Sequence, residues 1–328
     1  MGNGQSTSVA PVAPGPTMYT ATATASVAAA RATALTLSPT SNVRGKTFDR
    51  FVQIWLENTD FDMAAGDPSL SFLATQGITL TNYHAVTHPS QPNYVAAAGG
   101  STFKVIGDGF YRIGADTKTV VDLLDGKNVS WSVYQEDMPY SGFEGNWKNQ
   151  KNGANDYVRK HKYVLSYQNL SLPVGRKLTD ANSPLMSYDS VTSDPNRLAK
   201  SKNLTMFYSD LAADKLPQWM FITPNMTSDG HDTSVTTAGL WTRNFLTPLL
   251  ANPKFNTDRT LVVVTFDETE SYVSSNKVFT LLLGGAVKGK EGTKVDTKFD
   301  HYSGLKTVEE NWGLGDLGEN DVKAVAYF

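Results

Sequence analysis

The segment Thr260-Leu261-Val262-Val263-Val264-Thr265-Phe266 constrains the fold more than any other stretch of the chain. Its near-continuous apolar character suits a parallel strand buried on both faces rather than a surface strand alternating with solvent. Shorter strands are predicted at 51–56, 78–80, 129–134, 219–222 and 278–283. Helices are predicted at 69–75, 120–124, about 203–213, 240–250 and 304–312. Strands that alternate with helices predict an α/β fold, a three-layer sandwich with a mostly parallel central sheet. Ligands of such sheets bind beyond the carboxyl ends of the strands, so the polar residues that follow each strand carry the functional information.

Composition removes several classes of function. The 328 residues carry 29 basic and 32 acidic side chains without a basic tract, so nucleic acid is not an expected partner. No apolar run approaches the ~18 residues that a membrane span needs. Cysteine is absent, which excludes disulfides, thiolate metal sites and cysteine nucleophiles. Four Asn-x-Ser/Thr triplets, at Asn128, Asn169, Asn203 and Asn225, favour a secreted or cell-surface protein, although no signal peptide is visible. Residues 1–45, rich in Ala, Thr, Ser and Pro, read as a disordered leader, because small side chains bury too little apolar surface to offset ordering entropy. Residues 46–328 read as one domain. Its polar, aromatic insert at about 139–190 is expected to cap a site, with His161 between two lysines as a solvated basic patch.

A loop at 87–100 delivers Ser90 to the start of a short helix. Pro92 fits the first helical position, Ala96 to Ala98 favour helix, and Gly99-Gly100 stop it. Ser90 then lies beside free backbone donors and the positive end of a helix dipole, where an anion such as phosphate is held; it also reads as a plain N-cap. Glu57-Asn58 follow the first strand, and Asp267-Glu268 follow the valine-rich one. These four hard oxygen donors suit one divalent cation, Mg, Ca or Mn, with Zn tolerated; each pair alone is equally ordinary loop polarity. His84, His88, His231 and His301 lie in polar strand-end segments. His88 is placed to contact phosphate, and His231 and His301 to orient phosphate, protonate a leaving group or bind a second metal. Ser90 is not in a Gly-x-Ser-x-Gly elbow, and neither a P-loop nor a dinucleotide-binding glycine loop occurs.

Taken in order, Glu57-Asn58-Thr59-Asp60-Phe61-Asp62, His88-Pro89-Ser90-Gln91-Pro92-Asn93-Tyr94, Pro224-Asn225-Met226, Asp229-Gly230-His231-Asp232, Thr265-Phe266-Asp267-Glu268 and His301-Tyr302-Ser303 form a series. The series resembles the phosphoesterase family of bacterial phospholipases C and acid phosphatases, within the alkaline phosphatase superfamily. The segment 48–60 is especially similar to secreted fungal acid phosphatases. The resemblance implies an alkaline-phosphatase-like fold and metal-dependent hydrolysis of small phosphate monoesters through a covalent phosphoserine at Ser90. It places Glu57, Asn58, Asp267 and Glu268 at metal-ligand positions. His88, His231 and His301 fall near the phosphate, and Asn58, Asn93 and Asp232 are the expected substrate contacts. Two-metal relatives carry Asp-His where this chain has Asp267-Glu268, so one metal is expected. A phospholipase C-type phosphodiesterase is the neighbouring alternative, and a non-catalytic phosphate- or glycan-binding surface protein the alternative of another class.

Overall fold

Burial along all seven residues of Thr260–Phe266 makes this strand the middle of the molecule. A computed structural model describes residues 10–11, 24–149, 151, 153–158, 183–273 and 275–328. Eight strands form the main sheet: β1 (Arg50–Leu56), β2 (Ile78–Leu80), β3 (Trp131–Gln135), β4 (Ser201–Asn203), β5 (Trp219–Thr223), β6 (Thr260–Phe266), β7 (Thr280–Leu283) and β8 (Thr293–Val295). Their spatial order is β8-β2-β7-β6-β1-β5-β3-β4. The run from β6 to β4 is parallel throughout, and β8 is parallel to β2. Only β7 runs against its two neighbours.

Helices α1 (Thr24–Thr33), α2 (Phe61–Gly66), α3 (Pro68–Ala74), α4 (Ser90–Gly99), α5 (Val120–Gly126), α6 (Thr205–Ala212), α7 (Val235–Leu250) and α8 (His301–Trp312) surround the sheet. Helices α2, α3 and α7 pack on one another, and α4 packs on both α5 and α8, giving the two outer layers of the expected sandwich. Trp55 of β1 fixes the second layer, its ring 5.0 Å from Tyr94 of α4 and 4.4 Å from His301 of α8. In the first layer α7 approaches α3 so closely that a Cβ on Gly239 would stand 2.2 Å from Asp67 Oδ1. That carboxylate caps α3 by accepting the backbone N–H of Ser69 and Leu70, so glycine is needed there to keep the cap in place. Among the described residues, no helix is long and apolar enough to cross a membrane.

The expectation of a disordered segment at 1–45 is corrected over residues 24–45. Alanine-rich α1 is helical, and its own Val27 is buried. Leu37 N–H then bonds to Ala199 O, Ser41 Oγ donates to Gln218 Oε1 at 2.6 Å, and Val43 N–H reaches the same oxygen. Backbone and hydroxyl hydrogen bonds order this stretch where apolar burial is scarce, a source that composition does not display. Strand β4 was also not predicted, because Ser-Lys-Asn has no strand pattern. Lys202 is nonetheless fully buried, 2.7 Å from Asp210 and 4.7 Å over the Tyr134 ring. Burial lowers its pKa, and its remaining bond goes to Ser38 Oγ at 3.0 Å.

The described part of the insert forms a short ribbon, Trp147–Lys148 paired with Asn155–Tyr157, over a small apolar cluster of Met138, Phe143, Tyr157 and Met186. His161 and Asn169 lie outside the described residues. Of the other triplets, Asn128 is exposed, whereas the amides of Asn203 and Asn225 donate to Met138 O and Asp137 Oδ2, each at 2.6 Å.

Candidate active site

The parallel register of β1 and β6 pairs Leu56 with Phe266, so the residues that follow emerge side by side. Backbone bonds stitch three strand ends together there. Asp267 N–H donates to Leu56 O, Thr59 N–H to Glu268 O, and Glu57 N–H to Asp229 O in the segment after β5. Glu57, Asp267 and Glu268 are all fully buried at this edge. Helix α4 brings Ser90 to the same point. Its Oγ lies 2.9 Å from Glu268 Oε1 and 3.3 Å from Glu57 Oε2. Asn58 Nδ2 donates to the same Glu268 oxygen at 2.6 Å, and Tyr94 OH donates to Glu57 Oε1 at 2.5 Å.

Helix α4 starts two residues earlier than predicted. Pro89 is its N-cap and Ser90 its first helical residue, so Ser90 is not the cap. The picture of free amide donors behind Ser90 is corrected as well, because Gln91 N–H donates to Asp108 Oδ1 at 3.0 Å. A carboxylate already complements that end of the helix dipole.

Placing several carboxylates in a site closed to water raises their affinity for cations or protons. Glu57 shows it: burial first, and the Asp229 carboxylate second, push its pKa above the usual range. Among the described residues, no three carboxylate or imidazole groups form a ready-made coordination cage. The four predicted donors are brought together through shared contacts with Ser90, Asn58 and one another. Their chemistry, three buried carboxylates and one amide oxygen, fits a hard divalent cation.

The predicted histidines divide by position. His88 Nδ1 lies 2.5 Å from Glu268 Oε2, and the imidazole is stacked on Tyr272 with centroids 4.1 Å apart. His231 pairs with Asp232 at 2.9 Å and lines an open cavity of about 480 Å³ that also touches Asn58, Thr59 and Glu270. His301 is buried. Its Nε2–H donates to Asp267 O at 2.6 Å, and Nδ1 faces Tyr83 OH at 3.3 Å. Burial pushes its pKa down to about 4, so the ring is neutral above that pH. His84 bonds to Asn82 Oδ1 and does not join the cluster.

The expectation that Asn93 touches substrate is corrected. Its side chain is fully buried, Oδ1 accepts Val86 and Thr87 N–H at 3.0 Å each, and Nδ2 donates to Thr87 O at 2.9 Å and Pro89 O at 3.4 Å. All of its hydrogen-bonding capacity fastens the loop ahead of Ser90. Three residues were not assigned a role from sequence. Asp229 and Tyr94 sit in the quoted motifs, and both bear on Glu57. Tyr272 carried no signal beyond lying four residues after Glu268.

The phosphoesterase family model matches residues 61–315. The chain belongs to the phosphoesterase family. It is 50% identical over 289 residues to the acid phosphatase of Aspergillus fumigatus, covering 88% of this chain and 60% of that protein. It is also 50% identical over 293 residues to the phosphate-repressible acid phosphatase of Penicillium chrysogenum, covering 89% of this chain and 66% of that protein. The chain thus spans about two thirds or less of the length of these relatives. In structure it is similar to a phosphonate monoester hydrolase from Silicibacter pomeroyi, with a TM-score of 0.51 at 13% identity, over 86% of this chain and 76% of that one. That likeness concerns the fold alone, and it is the α/β arrangement that the sequence predicts.

Proposed function

We propose that the protein is a metal-dependent acid phosphatase that hydrolyses phosphate monoesters through a phosphoserine at residue 90. One observation carries the reading: the Ser90 hydroxyl is held at the first turn of α4 between Glu268 and Glu57. Its 50% identity to fungal acid phosphatases supports the substrate class. Glu57, Asp267, Glu268 and the Asn58 carbonyl oxygen are the groups to hold a divalent cation. When bound, that cation offsets charge on the phosphate oxygens and lowers the pKa of the nearby hydroxyl.

The chain's own residues perform the remaining work. Ser90 Oγ forms a bond to phosphorus as its proton passes to Glu268, the acceptor of its hydrogen bond. The bond from phosphorus to the leaving oxygen breaks, and His88 protonates the departing alkoxide. Water then attacks phosphorus and gives a proton to His88, while Ser90 Oγ leaves and recovers its proton from Glu268. Tyr94 fixes the Glu57 carboxylate by its hydrogen bond. His301 holds the Asp267 turn in place; with both ring nitrogens engaged and a pKa near 4, it is a positioning residue rather than the acid. His231 and Asp232 border the cavity that receives the leaving group.

Acid quenching during turnover of a radiolabelled monoester tests the proposal. The label is expected on the peptide containing Ser90, and Ser90→Ala is expected to lose both label and turnover. Turnover is also expected to vanish in chelator and return with added metal. Near-normal turnover by Ser90→Ala, or label on another residue, sinks the nucleophile assignment.

A further inference from the structure

A second cavity, of about 310 Å³, is bounded by α2, α3 and the outer strands β2 and β8. Among the described residues it shares no lining side chain with the cavity at Asn58 and His231. Its wall is largely apolar: Phe279 is buried, half-buried Phe61 meets it edge to face at 5.8 Å, and Ala65 contributes only a methyl group. Two ammonium groups border that wall. Lys277 Nζ stands 4.1 Å from the centre of the Phe61 ring, and the register of β8 on β2 sets Lys294 beside Thr79, another lining residue. Among the described residues no carboxylate lines the cavity, and neither ammonium lies within ion-pair distance of one. Asp296, two residues beyond Lys294, is exposed and accepts the Thr81 hydroxyl at 2.8 Å, so it tempers the positive charge at that end without pairing with either lysine.

We propose that this cavity binds an amphiphilic anion, a carboxylate-like head on a short alkyl or aromatic body. Apolar walls with a few convergent polar groups are the form that small-molecule sites take. At about 30 Å³ for each water-sized group, the cavity has room for on the order of ten non-hydrogen atoms. The head meets Lys277 and Lys294, and the body lies against Phe61 and Phe279. Cation–π attraction to Phe61 keeps the Lys277 ammonium at the apolar wall rather than free in solvent. A neutral analogue forfeits the charge, an ammonium meets repulsion, and a bare small anion forfeits the burial of its body. The inference stands apart from the phosphatase reading, since none of these side chains belongs to the candidate chemistry.

Titration calorimetry on the full chain tests this with octanoate, octanol, octylammonium and acetate. Octanoate is expected to bind one site with a dissociation constant of about 1 mM or below, as fits a ligand of this size. Octanol and acetate are expected to bind about tenfold more weakly, and octylammonium more weakly still. Lys277→Gln is expected to weaken octanoate about fivefold and Lys294→Gln, at the more exposed lysine, about threefold. Ala65→Leu keeps both charges and is expected to abolish binding by filling the cavity. Circular dichroism checks that each variant folds; should Ala65→Leu fail, the Lys277→Gln comparison decides alone. Octanol or acetate binding as tightly as octanoate, or an affinity for octanoate unchanged in Lys277→Gln, overturns the inference. So does the absence of any octanoate binding up to about ten times that concentration.

Discussion

Replacing Asn93 by alanine is expected to destabilise the protein, and to lower activity only as a consequence. Asn93 looks like a substrate contact in sequence, yet its amide is spent on the loop at 86–89, with the two accepted bonds at 3.0 Å. Truncation leaves the N–H groups of Val86 and Thr87 without that partner. Thr87 O keeps a bond from Asn276 Nδ2 at 2.9 Å, so the acceptor side suffers less. Two orphaned donors at about 1 kcal/mol each, plus a smaller loss for the donated bonds, give about 2–3 kcal/mol. In a domain of this size that corresponds to a thermal midpoint lower by about 3–5 °C. Asn93→Asp keeps the acceptor but not the donor and is expected to recover roughly half of the loss. Urea unfolding checks the stability, and competitive inhibition by inorganic phosphate checks the site. An Asn93→Ala variant with an unchanged urea midpoint and a raised inhibition constant would show that the side chain serves the ligand instead, and would refute the reasoning.

Two further predictions follow from side chains that lie beyond the nucleophile. Tyr272→Ala is expected to lower kcat/KM several-fold and Tyr272→Phe to restore it, because the stack on His88 requires the ring and not the hydroxyl; steady-state kinetics with a melting curve for each variant checks this, and an equal loss in both variants counts against it. Glu309 carries a pKa pushed up to about 9, by burial and then by the Asp321 carboxylate. The folded state therefore keeps a proton that the unfolded chain releases from about pH 4.5, and stability falls as pH rises between those two values. Glu309→Gln is expected to flatten that fall by on the order of 1–2 kcal/mol between pH 5 and 8, which urea unfolding across pH measures.

The carboxyl-edge residues were legible because the rule that finds them is topological. Once Thr260–Phe266 reads as a buried parallel strand, Asp267 and Glu268 must lie at a ligand-binding edge, and Glu57 and Asn58 follow from the neighbouring strand. What stayed hidden depends on three-dimensional partners. Tyr94 needs the face of α4 to be known before it can be aimed at Glu57. Asn93 occupies the same short motif, yet its amide points back into the loop. His301 and His88 are alike in sequence as strand-end histidines, and only burial separates a ring neutral above about pH 4 from one beside the nucleophile's acceptor. The reversed direction of β7 leaves no trace in a segment as apolar as any parallel strand. Strand β4 escaped because Lys202 is tolerated in the interior only through Asp210, eight residues away in sequence.

The segment at 34–45 has a practical consequence at the boundary that composition draws. Cutting the chain at residue 46 looks harmless, since most of what is removed is Ala, Thr, Ser and Pro. It would remove the Leu37 bond to Ala199 O just ahead of β4, the outermost strand of the sheet, and take Ser38 from the buried Lys202 ammonium. The buried ammonium then lacks one of its partners, which destabilises that flank of the sheet. A shortened protein that loses stability would have failed at its flank and not at its catalytic edge.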